Sequence, residues 1–338
     1  MALKLKSSSG KERGGRRLAN LLSLDFATSG IKAVRLKKTK EQIVLAAADI
    51  LPTIAESAEE RPVLSKPLSA YYVALCATMD NTIMRVFPQI LPEENEDIEA
   101  IVRENLSTAS DYRTSGLVLS RARGKRESSV LGVAVPEKTV QRYLSLFASG
   151  APAPRSLEIS GLAAFSAFLF NYGAQTENQT ICLIETGARY TYAAFLCRNQ
   201  LQLVNRFDVG GDMLQRQVQG ALGVDTEMAE TILSGGSVDV SGPVRQVLNP
   251  FTRQLSIYRE FVERQSKSSL SSVYISGGQA SSSYWQAAIK EVLGVVPQIW
   301  NPFEKISIPQ GVFPEKFKGQ ESRFAAAVGA ALAGMDVL

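Results

Sequence analysis

The chain contains no histidine at all. Imidazole is the side chain whose ordinary pKa puts its charge change near neutral pH, so Ser-His and Cys-His catalysis and imidazole metal sites are excluded, and with them most hydrolases. Cysteine is scarce: Cys76, Cys182 and Cys197 are odd in number and have no CxxC spacing. Each sits in an apolar, strand-like context and reads as a buried thiol of a reducing compartment. Long apolar runs are missing too. The longest small-apolar stretch, Phe324 to Met335, falls short of the ~20 residues a bilayer requires. The basic N-terminus meets no apolar run before Leu18-Ala19-Asn20-Leu21-Leu22, which merges with the first strand, so no signal peptide is read there. A soluble, cytoplasmic chain is expected.

What is present is ample for a core. At 338 residues, with 45% hydrophobic and 21% charged, the chain exceeds one ordinary domain, and two lobes are expected. The formal net charge of +4 is concentrated at one end. Residues 1–17 set Lys4, Lys6, Lys11, Arg13, Arg16 and Arg17 against Glu12 alone, which leaves the body of the chain slightly acidic. No nucleic-acid surface is expected of such a body. The basic tail reads first as a solvated terminus, and second as a weak contact for anionic lipid or an acidic partner.

Two stretches open alike. One is Leu24-Asp25-Phe26-Ala27-Thr28-Ser29-Gly30-Ile31-Lys32-Ala33-Val34; the other is Leu183-Ile184-Glu185-Thr186-Gly187-Ala188-Arg189-Tyr190-Thr191-Tyr192-Ala193-Ala194. Each is an apolar strand ending in a carboxylate, a turn of small and hydroxyl residues, and a second strand. Such a hairpin can wrap backbone amides around a phosphate. A third piece, Ser272-Val273-Tyr274-Ile275-Ser276-Gly277-Gly278-Gln279-Ala280, reads as a strand, a Gly-Gly turn and then a helix whose free N–H groups suit an anion. Each piece alone has an ordinary reading as a plain turn or plain β-structure. Their order along one chain suggests a nucleotide clamped between two halves.

Between the hairpins, Gln42 to Leu51 and Ala70 to Leu75 read as strands, followed by a short strand at Thr82 to Pro88. Pro92-Glu93-Glu94-Asn95-Glu96-Asp97 crowds acids into the first turn of a helix carrying Ile98, Ile101, Val102 and Leu106. Strands at Leu117 to Ser120 and Ser129 to Val135 are joined by a basic loop, 121–127, read as a solvated hairpin tip. Pro136 then opens a helix through Tyr143, Leu144 and Phe147. This β-α-β-β-α run predicts a small α+β subdomain inserted in the first lobe. Leu162 to Phe170 is apolar almost all round and reads as a buried helix linking the lobes. In the second lobe Asn249-Pro250 predicts an N-cap and first-turn proline for a helix with Phe251, Leu255, Tyr258 and Val262 on one face. The chain closes on an alanine-rich helix from Ser322 to Met335, where Gly329 permits close packing. The expected division is a tail at 1–19, a first-lobe core at 20–79, the insert at 80–156, a linking region at 157–180, a second lobe at 181–320, and a helix at 321–338 returning to the first lobe.

This order of elements resembles the α/β actin-like ATPase fold, two lobes around a nucleotide cleft. More closely it resembles the PilM family of type IV pilus assembly proteins, relatives of the cell-division protein FtsA. The resemblance runs through the Asp25 to Lys32 hairpin, Pro136, Gly187-Ala188, Arg206 with Val209-Gly210-Gly211-Asp212, Ala229-Glu230, Arg253-Gln254-Leu255 with Tyr258, Ser276-Gly277-Gly278, Asn301-Pro302-Phe303, and Ala326 with Gly329-Ala330-Ala331-Leu332. It implies a cytoplasmic scaffold, peripheral to the inner membrane, that grips the cytoplasmic N-terminus of a PilN-type membrane protein in a groove beside the inserted subdomain. A pilus assembly ATPase is a further implied partner. It also implies ATP with Mg2+ as cofactors. Asp25 and Glu185 would face the metal; Lys32 and the second hairpin with Thr186, Gly187 and Ala188 would hold the phosphates, and Thr28, Ser29, Gly30, Gly210 and Gly211 would belong to the nucleotide site. Glu230 with Ser276, Gly277 and Gly278 would meet the nucleoside.

Several positions depart from the family's pattern. Ala27 stands where glycine is usual, and its Cβ is expected to obstruct the turn. Glu185 replaces aspartate beside a metal with strict octahedral demands. The linker's pair of acids appears as Glu158-Ile159-Ser160, without the second acid, and Leu233 stands where a lysine is expected near the ribose. Hydrolysis depends on positioning to a fraction of an ångström. Very slow or absent ATPase activity is therefore expected, and no catalytic residue is assigned. The alternatives are an active ATPase or sugar kinase of the same superfold, or a polymer-forming protein like FtsA. The kinase would need an aspartate near the linker, and the FtsA-like protein a C-terminal amphipathic helix; neither is seen.

Overall fold

The computed structural model describes residues 19–55, 61–90, 97–121, 127–234 and 238–337. The basic tail, the acids at 93–96 and the basic loop at 122–126 lie outside the described residues. Two compact units divide the chain: Met1–Asn171 with Pro302–Leu338, and Tyr172–Asn301. No helix among the described residues is long and apolar enough to cross a membrane.

In unit 1, β1 (Asn20–Ala27), β2 (Gly30–Lys38) and β3 (Ile43–Leu51) form an antiparallel meander, and β4 (Tyr72–Ala77) pairs with β1 in parallel. The inserted subdomain follows: β5 (Ile83–Ile90), α1 (Ile98–Leu106), β6 (Tyr112–Arg121), β7 (Glu127–Pro136) and α2 (Glu137–Ser145). Its three strands form an antiparallel sheet in the order β5-β7-β6. α1 packs Ile101, Val102 and Leu106 against Phe87, Val130 and Ala134 of that sheet. Asp97 caps α1 by accepting from the Glu99 amide at 3.1 Å, which satisfies one of the helix's orphan donors. β8 (Ala153–Ile159) returns to pair with β4 in parallel, completing a five-stranded sheet in the order β3-β2-β1-β4-β8. α3 (Ser160–Thr176) starts without a break from β8 and carries the chain out of unit 1 after Asn171.

Unit 2 repeats that plan. β9 (Thr180–Thr186), β10 (Thr191–Cys197) and β11 (Gln200–Phe207) form a meander, followed by α4 (Gly211–Leu222), α5 (Thr226–Leu233) and α6 (Ser241–Ser266). β12 (Ser272–Ser276) then pairs with β9 in parallel, and after α7 (Ser283–Leu293) β13 (Pro297–Ile299) pairs with β12. The strand order β11-β10-β9-β12-β13 matches that of unit 1 position for position. Its core closes around Trp285, Phe251 and Phe195.

The helix expected to start at Asn249-Pro250 begins instead at Ser241, with Pro250 in its interior. An interior proline costs about 3 kcal/mol. Carrying the helix back through it buries Val244 and Leu248, worth about 1.5–3 kcal/mol each. The burial term offsets the proline. Pro250 and Gln246 are both exposed, so water can reach the carbonyl left without its donor.

The chain re-enters unit 1 at Pro302. Phe303, Phe313, Phe317 and Phe324 interlock with ring centres 5.5 to 6.1 Å apart and anchor an otherwise irregular segment. After a 3-10 turn at Glu321–Phe324, α8 (Ala325–Gly334) begins three residues later than expected. It lies on one face of the unit 1 sheet. A Cβ on Gly334 would meet Leu21 at 2.6 Å and Ala74 at 3.2 Å, and one on Gly329 would stand 1.7 Å from the Ala163 carbonyl oxygen. Of the cysteines, Cys76 and Cys182 are buried, while Cys197 is half-buried; all three are free thiols.

Candidate functional site

The two hairpins are built to one register. Asp25 pairs with Lys32 on β2 and with Cys76 on β4; Glu185 pairs with Tyr192 on β10 and with Ser276 on β12. The first hairpin thus sets a cation beside its carboxylate where the second sets a phenol.

In unit 1, Asp25 and Lys32 are both buried, 5% and 4% exposed. Ser160, the first residue of α3, donates its hydroxyl proton to Asp25 Oδ1 at 2.7 Å, and the Cys76 thiol donates to Ser160 Oγ at 3.6 Å. Burial pushes the Asp25 pKa up, and Lys32, Ser160 and Cys76 draw it back. Lys32 Nζ donates to Ser29 Oγ at 2.9 Å and to the Gly30 carbonyl at 3.2 Å. The lysine therefore folds onto the tip of its own hairpin, while Thr28 and Ser29 stand exposed.

The obstruction expected from Ala27 does not occur. Ala27 ends β1 paired with Gly30, and the positive φ of the turn, 119°, falls on that glycine. A non-glycine residue is strained there. In the second hairpin the glycine sits on the other side: Gly187 donates to the carbonyl of Tyr190, the residue corresponding to Gly30. The two guanidiniums of Arg206 and Arg189 lie over the Tyr190 ring at 4.6 and 5.0 Å and fix this tip.

Unit 2 gathers most of the residues assigned to its phosphate end. Gly211 and Asp212 donate their amides to the carbonyls of Gly187 and Ala188 at 3.1 and 2.8 Å, Gln279 donates to Thr186 O at 3.2 Å, and the Thr186 hydroxyl donates to Ser276 O at 3.0 Å. Gly277 adopts φ 95°, and a Cβ there would stand 2.2 Å from Thr186 O. Glycine is obligatory at that crossing. The helix expected directly after Gly277-Gly278 starts only at Ser283, because residues 279–282 turn back on Thr186, Gly277 and Gln279. Gly278 is exposed at this turn, and Glu230 lies exposed on α5. The Gly210 and Gly211 end of α4 is therefore tied to the hairpin by its own amides. Burial raises the Asp212 pKa, against the pull of Arg216 and Arg189.

Three residues of this architecture escaped the sequence reading. Cys76 and Ser160 were legible only as a buried thiol and a missing acid, and Gln279 carried no signal. The third acid of the region, Glu158, stands opposite Cys76 in β8. It is fully buried, and neither carboxylate oxygen has a hydrogen-bond partner among the described residues. Burial, the largest influence, pushes its pKa up to about 7; the Ser156 hydroxyl is among the groups that pull the other way, without making a well-formed hydrogen bond to it.

A second surface lies wholly in unit 1. The segment joining β3 to β4 and the segment joining α2 to β8 enclose a groove of about 690 Å³, lined by Arg61, Pro62, Val63, Leu64, Leu146 and Pro152. Arg61 Nη1 donates to the Ala151 carbonyl at 2.6 Å and ties its walls together. Val63 is 92% exposed, and Tyr71, next to the lining residue Ala70, is 81% exposed.

Two units of matching strand order, each opening on a carboxylate hairpin, define the actin-like ATPase fold. The family model described as "Type IV pilus assembly protein PilM" matches residues 121–335, and the chain belongs to the PilM family. Among solved structures, a PilM-PilN type IV pilus biogenesis complex is similar at 18% identity, covering 95% of this chain and 99% of that one, with a TM-score of 0.74. An actin-like protein of unknown function from Bacteroides thetaiotaomicron matches at 12% identity over 84% and 91%, TM-score 0.46. The ethanolamine utilization protein EutJ from Carboxydothermus hydrogenoformans matches at 14% over 94% and 91%, TM-score 0.46. No curated protein matches the sequence significantly.

Proposed function

We propose that this PilM-family protein is a cytoplasmic scaffold of a type IV pilus or related secretion platform, held at the inner membrane by gripping the cytoplasmic N-terminus of a PilN-type partner. The observation that carries this reading is the groove between the β3–β4 and α2–β8 segments, beside the inserted subdomain. Its lining mixes apolar side chains such as Val63, Leu64 and Leu146 with Arg61 and the serines at 69, 145 and 149, and the exposure of Val63 gives a partner segment an apolar contact. The similarity in fold to the PilM-PilN complex supports a PilN-type protein as the occupant. Titration of the full chain with a synthetic N-terminal peptide of the PilN-type protein encoded beside it tests the reading. Val63→Asp and Ala148→Arg, both at exposed positions that line the groove, are each expected to weaken binding about tenfold or more without lowering Tm. Unchanged affinity in both variants would refute the assignment.

In the same proposal the nucleotide site is a binding or relic site, not an engine. Lys32 is engaged by Ser29 and Gly30, Asp25 by Ser160, and the amides of Gly187, Gly211 and Gln279 by neighbouring carbonyls. Among the described residues no three acid or thiol side chains gather as metal ligands. Mg2+ held at Asp25 or Glu185 would be completed by water and phosphate oxygens. With ATP and Mg2+, purified protein is expected to turn over at least a hundredfold below the ~1 s⁻¹ at the slow end of ordinary enzymes. Brisk metal-dependent turnover abolished by Asp25→Ala would show the opposite.

A further inference from the structure

One strip of the unit 1 sheet is polar and makes no well-formed side-chain hydrogen bonds among the described residues. Ser23 on β1 pairs with Ala74 on β4, which pairs with Ser156 on β8; Glu158 lies two residues beyond Ser156 and so points to the same face. Ser23, Ser156 and Glu158 are all buried, and among the described residues neither hydroxyl oxygen nor either carboxylate oxygen has a hydrogen-bond partner. α8 covers this face, with Gly334 against Leu21, Ala74 and Ser156. Its ten residues, AAAVGAALAG, contain no polar side chain, and α3, packed beside it through Gly329 and Ala163, contains no charged one. The titratable groups facing Glu158 from the sheet are Cys76 on the adjacent strand and, beyond it, Asp25 and Lys32. No cation on α8 or α3 neutralises a carboxylate at position 158.

We propose that Glu158 is a proton-controlled latch for the last helix: the neutral acid lets α8 lie on the sheet, and the carboxylate draws water beneath it and loosens α8. A buried, unpaired carboxylate is costly, so the charge is relieved by solvation when α8 lifts. Glu158 then regains the ordinary pKa of 4.5 in place of about 7. The lifted population rises tenfold per pH unit between those values, about 300-fold in all, and levels off above pH 7. Since β8 runs directly into Ser160, which holds Asp25, the latch shares a strand–helix junction with the first hairpin's carboxylate. The latch does not depend on the partner groove.

Amide hydrogen exchange on the full chain from pH 5 to 8, corrected for intrinsic rates, tests this. Opening of Ala325–Gly334 is expected to rise steeply to about pH 7 in the native protein, and by less than tenfold in Glu158→Gln and in Glu158→Leu. The Leu variant keeps a folded comparison should the amide pack poorly. A rise that persists in both variants overturns the latch, as does α8 protection in the native protein that ignores pH. Carboxyl 13C shifts of the native protein give an independent readout, and titration of Glu158 near 4.5 also overturns it.

Discussion

Glu158→Gln is expected to raise the stability of unit 1 at pH 8 by about 3 kcal/mol relative to its effect at pH 4.5. The sign follows from burial. Glu158 has a folded-state pKa near 7 against 4.5 in an ordinary environment, so the folded chain holds a proton that the unfolded chain has released across that interval. Stability is whole below pH 4.5, falls as pH rises to 7, and is flat above; 2.5 pH units at 1.36 kcal/mol each give the ~3 kcal/mol. Glutamine cannot ionise and loses this component. Asp25, raised in the same direction by burial, leaves a residual slope in the variant. Urea denaturation of both proteins at pH 5 and pH 8 measures the difference directly. Parallel pH profiles would mean that solvent reaches the Glu158 carboxylate.

Gly329→Val is expected to cost more than about 4 kcal/mol, enough to leave unit 1 unfolded or without a docked α8. The hypothetical Cβ lies 1.7 Å from the Ala163 oxygen, 2.5 Å from its carbonyl carbon and 3.2 Å from its Cα. All three atoms are backbone of α3, so no rotamer change relieves the clash; the helices must part. Gly220→Ala is the control. It lies inside α4, its Cβ meets nothing within 4 Å, and the helix propensity of alanine is expected to add about 0.5–1 kcal/mol. Thermal unfolding of both variants separates the outcomes: a lower Tm for Gly329→Val and an unchanged or higher one for Gly220→Ala. Comparable Tm values would show that α8 and α3 do not meet as closely as described.

Both hairpins were legible because their signal is local: a carboxylate, a small-residue turn and a second strand fall within one short window, and the step from Asp25 to Lys32 equals that from Glu185 to Tyr192. The inserted sheet was legible for the same reason. What escaped depends on residues distant in sequence. Ser160 reads as the loss of an acid until β8 brings it beside Asp25, and Glu158 reads as half of a motif until α8 covers it. Ala27 was misjudged because its tolerance is decided by the residue across the turn, Gly30. Pro250 was misplaced because local propensity favours a helix start, whereas the apolar faces of Val244 and Leu248 are set by the unit 2 core. The start of α7 was missed because Gln279 is committed to a carbonyl nearly a hundred residues earlier.

Unit 2 is a continuous stretch of chain, whereas unit 1 is closed by residues from both sides of it. Asn171 and Pro302, the two residues at which unit 1 is interrupted, are joined by a 2.9 Å hydrogen bond, and Lys305 donates its amide to Asn171 Oδ1 at 2.8 Å. During synthesis on the ribosome, Tyr172–Asn301 therefore emerges whole while the earlier-made unit still lacks α8. The β1, β4 and β8 surface must wait, uncovered, for the last helix to be translated, and a nascent chain stalled shortly after Asn301 would offer that sheet to chaperones beside an already complete neighbour.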